Sequence, residues 1–357
     1  MRHMADWTEP FTAVYRFMRV DHATMLETER LTNLEQSGSI TRDSDTEIKE
    51  RGRLTAYGVF DIGADYLRVY LDATGMYTGW KESRALGTFV PSVSSRDIDG
   101  PSSTSSVSLS GLLKVVDDDD FDAPVTLEQG ANVLEYVTGL LEDVGLRVEA
   151  DESDYALSST WSFGVDSNES GKLSAINELL DLAGFYSAMT DEYGTVRLRR
   201  YVRPGDRKPI HSFVEGRNAR FLKQVTDELD TSDVKNVMRA IYSTQEATVI
   251  GMAVDDDPSS KWSTVTLGRR IVGSQRYNDE VDQETADAKA LELLVNSQSV
   301  IHRVTVKHTY VPGLGITDAV TADYPTGGVS GAFVTRTQDI DLGVGCMVES
   351  EIKRNER

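Results

Sequence analysis

The segment Gly171–Val202, GKLSAINELLDLAGFYSAMTDEYGTVRLRRYV, limits the possible fold more than any other stretch. Leu173, Ile176, Leu179, Leu180 and Ala183 recur at helical spacing, so Ser174–Leu182 reads as an amphipathic helix. Gly184 stands where a helix end wants a left-handed residue. Phe185–Met189 reads as a short strand, Asp191-Glu192-Tyr193-Gly194 as a tight turn, and Thr195–Val202 as the return strand. The unit is a helix plus hairpin with a packing role and no catalytic signature.

Short strands with turn signals fill most of the remaining chain. Phe11–Val20 alternates like a long strand, and Met25–Leu34 is open between helix and irregular chain. Strand patterns cover Ser39–Ile48 and Arg53–Phe60 around a break at Arg51-Gly52, then Tyr66–Leu71, Met76–Trp80 and Ala85–Val90. Ile98–Ser106 reads as a polar loop or tip. The acidic run Asp117–Asp122 with Pro124 marks a boundary. A helix over Gly130–Asp143, capped at Gly145, leads to a strand at Leu146–Val148, repeating the helix–Gly–strand order of the later block. We read the two as parts of one small αβ module, because shared punctuation alone is weak evidence for a repeat.

Beyond Pro204, strands are expected at Val234–Tyr242, Ala247–Val254, Trp262–Leu267 and Arg270–Val272. Asp279–Ser297 contains a helix with Ala286, Ala290, Leu293 and Leu294 as its apolar stripe. Val300–Val311 is the clearest period-two strand, and Ile316–Tyr324, Gly331–Arg336 and Gly345–Lys353 are the last ones. The fold class is α+β, predominantly β, with two barrel-like β domains and small αβ modules. The expected division is 1–122 as an N-terminal barrel-like domain, 123–204 as an inserted αβ module, and 205–232 as a crossover. It continues with 233–309 as a second αβ module, helix 283–297 included and partly shared with the second barrel, and 310–357 as that small barrel.

Composition excludes several functions. The formal net charge of -21 opposes nonspecific binding to DNA or anionic lipid, both polyanions. Asp outnumbers Glu 34 to 24 and Arg outnumbers Lys 26 to 11, which fits either a halophilic source or a high-GC genome. No run approaches ~18 apolar residues, so no membrane span is expected, and the N-terminus lacks a secretory apolar region. The one cysteine, Cys346, allows no internal disulfide, and its strand-like setting makes it a small buried apolar residue.

No phosphate-binding or dinucleotide-binding glycine motif and no nucleophile elbow occurs. His302 and His308 share a strand face but lie roughly 20 Å apart at ~3.3 Å per residue, too far for one ion. Asp118, Asp120 and Asp122 match positions 1, 3 and 5 of a calcium loop, yet Ala123 and Gln129 fill the two geometrically strict positions. These three aspartates are a weak cation candidate only, in what is otherwise a solvated acidic linker. Asp255–Asp257 is weaker still. No catalytic group, metal site or cofactor is nominated.

In its layout the chain resembles the baseplate hub or tail-tip hub proteins of tailed viruses. The resemblance rests on LETERLTNLEQSGSITRDSD at 26–45, YLRVYL at 66–71, LGTFVPS at 86–92, the helix before Gly145 and the block 171–201. It rests also on ITDAVTADY and GAFVTRTQDIDLGVGCMVESEIKR near the end, where Asp318 starts a strand and Leu342-Gly343 precedes the last one. It implies a non-enzymatic homotrimer in the virion tail tip, whose barrels form a pseudo-sixfold ring with the αβ domains on the outside or distal side. That ring would join the tail tube to the tip and let genome DNA pass without specific binding. Its partners would be tube, distal tail, tape-measure-type and tip or fibre proteins. A peptidoglycan-degrading extension, found in some relatives, is not expected in a chain ending at Arg357. The alternatives are a tail-tip carbohydrate-binding or degrading component, with Trp80, Trp161 and Trp262 as stacking candidates, or the hub of a phage-like injection or gene-transfer particle.

Overall fold

The strand YLRVYL is made of aromatic and branched apolar residues around one arginine, and in the computed structural model it opens the strand Tyr66–Gly75, which pairs residue for residue with Phe11–Val20. The structure describes residues 5–163, 171–217, 219–229, 231–232, 234–243, 248–277, 281–298 and 300–356. The expected starts of a strand at Ala247 and of a helix at Asp279 lie outside them. Two compact units divide the chain: Met1–Val225 with Val306–Ile352, and Thr226–Thr305 with Lys353–Arg357.

The first unit is built on a long sheet. Glu27–Leu31 pairs with Phe11–Val20, which pairs antiparallel with Tyr66–Gly75, Val20 facing Tyr66 and Phe11 facing Gly75. The path continues through Lys81–Asp99, Ser102–Gly111, Glu50–Tyr57, Leu34–Asp43 and Val329–Asp341 to Met347–Glu356. Ala319–Tyr324 branches from Val329–Asp341 and carries His211–Val214 in parallel. The path of hydrogen-bonded strands is open among the described residues. The fold is therefore predominantly β, as expected, but its sheets do not close into the two barrels that short strands with frequent turns led us to expect.

One core lies on this sheet, with Tyr15, Phe17, Ile40, Leu54, Leu67, Leu71 and Phe89 almost fully buried. Each such side chain contributes about 1.5–3 kcal/mol of burial. A second core surrounds the helices Val133–Asp143 and Lys172–Leu182. The strands Val148–Ala150 and Val196–Leu198 pair in parallel, so both helix–Gly–strand pieces share one three-stranded sheet, consistent with a single αβ module. Asp318 immediately precedes Ala319–Tyr324, and Leu342-Gly343 precedes the final strand.

Several local expectations fail for identifiable reasons. The break at Arg51-Gly52 is displaced to residues 44–49, and Gly52 sits inside the strand Glu50–Tyr57. A Cβ there would lie 2.7 Å from the Ser39 carbonyl oxygen, so this glycine answers close strand approach instead of a turn. Residues 76–80 form a turn closed by Gly75 N donating to Trp80 O at 2.9 Å. The expected loop 98–106 shrinks to Gly100-Pro101, because the hairpin strands run on to Asp99 and restart at Ser102. The strands flanking the 191–194 turn shorten to Met189–Thr190 and Val196–Leu198, with one further bridge between Phe185 and Arg200. Met25–Leu34, left open in the sequence, contains the strand Glu27–Leu31.

The second unit holds the sheet Thr248–Val254, Val237–Ser243, Val272–Tyr277, with the helix Gln283–Gln298 burying Ala286, Ala290 and Leu294 against it. The expected strand 262–267 is instead a short helix, Thr264–Leu267. The Ser263 hydroxyl accepts from Thr266 N at 3.1 Å to cap its start, and Gly268 ends it in the left-handed region. The neighbouring strand begins later than expected, at Val272.

Candidate functional site

The hairpin after helix Lys172–Leu182 is fixed by its own side chains before it meets anything else. Asn177 accepts from Ala188 N at 3.0 Å, holding the chain as it leaves the helix. Asp191 accepts from Tyr193 N and Thr195 N at 3.0 and 2.9 Å, and its other oxygen receives Arg197 at 2.6 Å. Gly194 supplies φ 86°, as the turn chemistry requires.

This shaped tip lies against the large sheet of the same unit through a buried polar seam. Arg68, the charged residue inside YLRVYL, is almost fully buried. It donates to Thr88 Oγ1 at 2.8 Å, Glu27 Oε1 at 3.0 Å and the Tyr193 carbonyl at 3.0 Å. The Thr88 hydroxyl in turn donates to the Glu192 carbonyl at 2.9 Å. Tyr70 donates to the same Glu27 oxygen at 2.5 Å, and burial with that carboxylate pushes its hydroxyl up to about 12. Arg42 donates to Leu86 O at 2.7 Å and lies 3.6 Å from Glu192. Thr190 donates to Glu50 at 2.9 Å. Burial pushes the Glu50 carboxyl up to about 7, against the opposing pull of Arg42 and of the Thr190 hydroxyl.

Arg68 and Thr88 reach backbone carbonyls of the hairpin tip, Arg68 and Tyr70 share the Glu27 carboxylate, and Thr190 of the hairpin reaches Glu50 of the sheet. The arrangement is suited to holding a module at a fixed angle, with one carboxyl that titrates near neutrality inside it. Sequence reasoning missed it, although Arg68 among apolar neighbours was a visible signal, since a charged residue in a buried strand needs partners.

The residues singled out in the sequence are dispersed. Lys114 pairs with Asp117 and Asp118 at 2.9 and 2.5 Å, Lys172 pairs with Asp119, and Asp120 accepts from Phe121 N at 2.7 Å. Lysines thus tie down the acidic run, and Asp118, Asp120 and Asp122 do not gather as a ligand set. Among the described residues the one such group is Asp21, His22 and Asp65. There Asp21 caps Thr24 N at 2.8 Å and Asp65 holds Arg19 and His22, so protein donors already use these carboxylates.

His302 takes the Asp227 carboxylate. His308 takes Ser350 Oγ at 2.9 Å and the Thr309 carbonyl at 2.7 Å, and burial lowers it to about 4. Trp80 is buried against Trp7 and Phe11, and Trp161 is buried, stacks on Phe163 and donates to Glu178 at 2.9 Å. Lys261 covers the ring of the half-buried Trp262 at 5.4 Å. Cys346 is buried as expected but lies just before the final strand with φ 43°, not inside it, and burial pushes its thiol up to about 12. No helix among the described residues is long and apolar enough to cross a membrane.

Similarity to known structures extends over the whole chain. The tail protein of Neisseria meningitidis MC58 matches with TM-score 0.61 at 13% identity, covering 97% of each chain. The 43 kDa tail protein of prophage MuSo2 from Shewanella oneidensis matches with TM-score 0.61 at 12% identity, over 95% of this chain and 98% of that one. A chain of the Francisella PdpA–VgrG complex matches 97% of this chain over 54% of its own length, with TM-score 0.58 at 8% identity. No protein-family model matches, and no curated protein is similar in sequence. The chain has the fold of phage tail proteins, and the expected likeness to hub-type tail proteins holds at the level of fold.

Proposed function

We propose that the chain is a structural hub of the tail tip or baseplate of a tailed virus. The observation that carries this reading is the end-to-end match to two tail proteins, which leaves almost no part of either chain unaccounted for. In this reading three copies form a ring between tail tube and tip, and DNA crosses it on ejection. The wall of an acidic chain suits that passage, since it does not hold phosphate. The division at 1–122, 123–204, 205–232, 233–309 and 310–357 into two β regions, a crossover and two αβ modules belongs to the same reading. The polar seam around Arg68 and Glu50 then keeps the 123–204 module at a fixed angle to the sheet. The partners are tube, distal tail, tape-measure-type and tip or fibre proteins, and no cofactor takes part.

A hub of a phage-like injection particle is the second reading, favoured by the VgrG match, in which this chain spans about half of the matched chain. A sugar-stacking role finds less support, because Trp80 and Trp161 are packed in cores. Immunogold labelling of intact particles tests the proposal. Gold at the distal end of the tail supports it; gold on the capsid, or particles that lack the chain, contradicts it.

A further inference from the structure

One face of the second unit's sheet is largely open, although Val237 on it is fully buried. Helix Gln283–Gln298 covers the side bearing Met238, Ala240, Tyr242 and Ala253. It also seals one edge, since Asp287 accepts from Met252 N at 3.1 Å and Gln283 donates to Ile250 O at 3.0 Å. Strand alternation sends the other residues to the opposite face. There Ile250, Met252 and Val254 are 49%, 52% and 40% exposed, and Val272 is 44% exposed. Register places Arg239 opposite Met252 on one side and Ser274 on the other, and Arg276 opposite Ile241. The two arginines are therefore diagonal neighbours in the apolar face. Both are exposed, and neither forms an ion pair among the described residues, in a chain carrying 58 acidic side chains.

We infer that this face docks an acidic amphipathic helix of another polypeptide. Three strands span roughly 14 Å and one helix with side chains is about 10–12 Å across, so a single helix covers the face, as Gln283–Gln298 covers the other. An apolar stripe would cover Ile250, Met252, Val254 and Val272, and flanking carboxylates would meet Arg239 and Arg276. The unpaired guanidinium groups select for acidic partners and repel basic ones.

The test uses the purified full chain with methyl-labelled methionine and two synthetic amphipathic helical peptides of about four turns. Both carry the same leucine stripe, flanked by glutamate in one and by lysine in the other. The glutamate peptide is expected to shift the Met252 methyl resonance. The double variant Arg239→Glu/Arg276→Glu should bind it about tenfold or more weakly, with an unchanged melting temperature because both side chains are exposed. Met252→Asp should weaken binding while leaving the arginines in place. No shift at Met252, or equal shifts from both peptides, would overturn the inference. So would a shift produced by a DNA oligonucleotide instead, or self-association in sedimentation that the double variant abolishes.

Discussion

The Thr190 hydroxyl donates to the fully buried carboxyl of Glu50 at 2.9 Å, joining the hairpin of the αβ module to the large sheet. Burial holds the folded carboxyl's proton up to about pH 7, whereas an unfolded glutamate releases it near 4.5. Between these values the folded state binds the extra proton, so stability falls as pH rises through that window and the loss is complete above it. The shift corresponds to on the order of 3 kcal/mol. Glu50→Gln should remove this component, so that between pH 5 and 7.5 its melting temperature falls less than that of the parent. Identical slopes would refute the assignment.

Gly194 is where sequence, backbone and packing converge. At φ 86° an added Cβ would lie 2.5 Å from Leu112 Cδ1 and 2.7 Å from Met25 Cε. Gly194→Ala should cost about 2–4 kcal/mol, through both the left-handed backbone and overpacking. Gly139→Ala, within the helix Val133–Asp143 where nothing lies near the new atom, should instead stabilise by about 0.5–1 kcal/mol. Denaturant midpoints measure both, and equal effects would contradict the role given to the tip.

Arg68 binds three partners in the seam. Arg68→Ala leaves Glu27 with Tyr70 and solvent but removes the donors to Thr88 and the Tyr193 carbonyl, so a loss of about 1–3 kcal/mol is expected. Limited proteolysis should then cut near residues 191–195 before it cuts the large sheet. Uniform cleavage would argue against the seam as the module's attachment.

Much of the fold was legible where one periodicity ruled. YLRVYL, the stripe Ala286–Ala290–Leu294 and the caps at Gly145 and Gly184 all lie where spacing placed them. Illegible features were those decided by distant partners. Gly52 looked like a turn residue because only the opposing Ser39 carbonyl reveals its purpose. Residues 262–267 looked strand-like because the β-branched run TVTL outweighed the Ser263 cap in a reading by pattern. Thr41 bonds to Asp339, a neighbour no local pattern announces. The seam was half legible: Arg68 signalled a buried charge, but its partners on the 191–194 turn come from a segment more than a hundred residues away.

Asp287 closes the edge of Thr248–Val254 by accepting from Met252 N. Asp287→Ala removes about 1 kcal/mol of hydrogen bonding there. Exchange of the Met252 amide should quicken about fivefold, with little change at Ala240 in the central strand. Unchanged exchange at Met252 would show that the helix leaves this edge open.

The hub reading is tested most directly by class averages of the purified protein in concentrated salt, where the charge of -21 is screened, with mass from light scattering. The account predicts a threefold ring with an open centre and a mass near three times 39.4 kDa. Compact particles of single-chain mass at every concentration would contradict it.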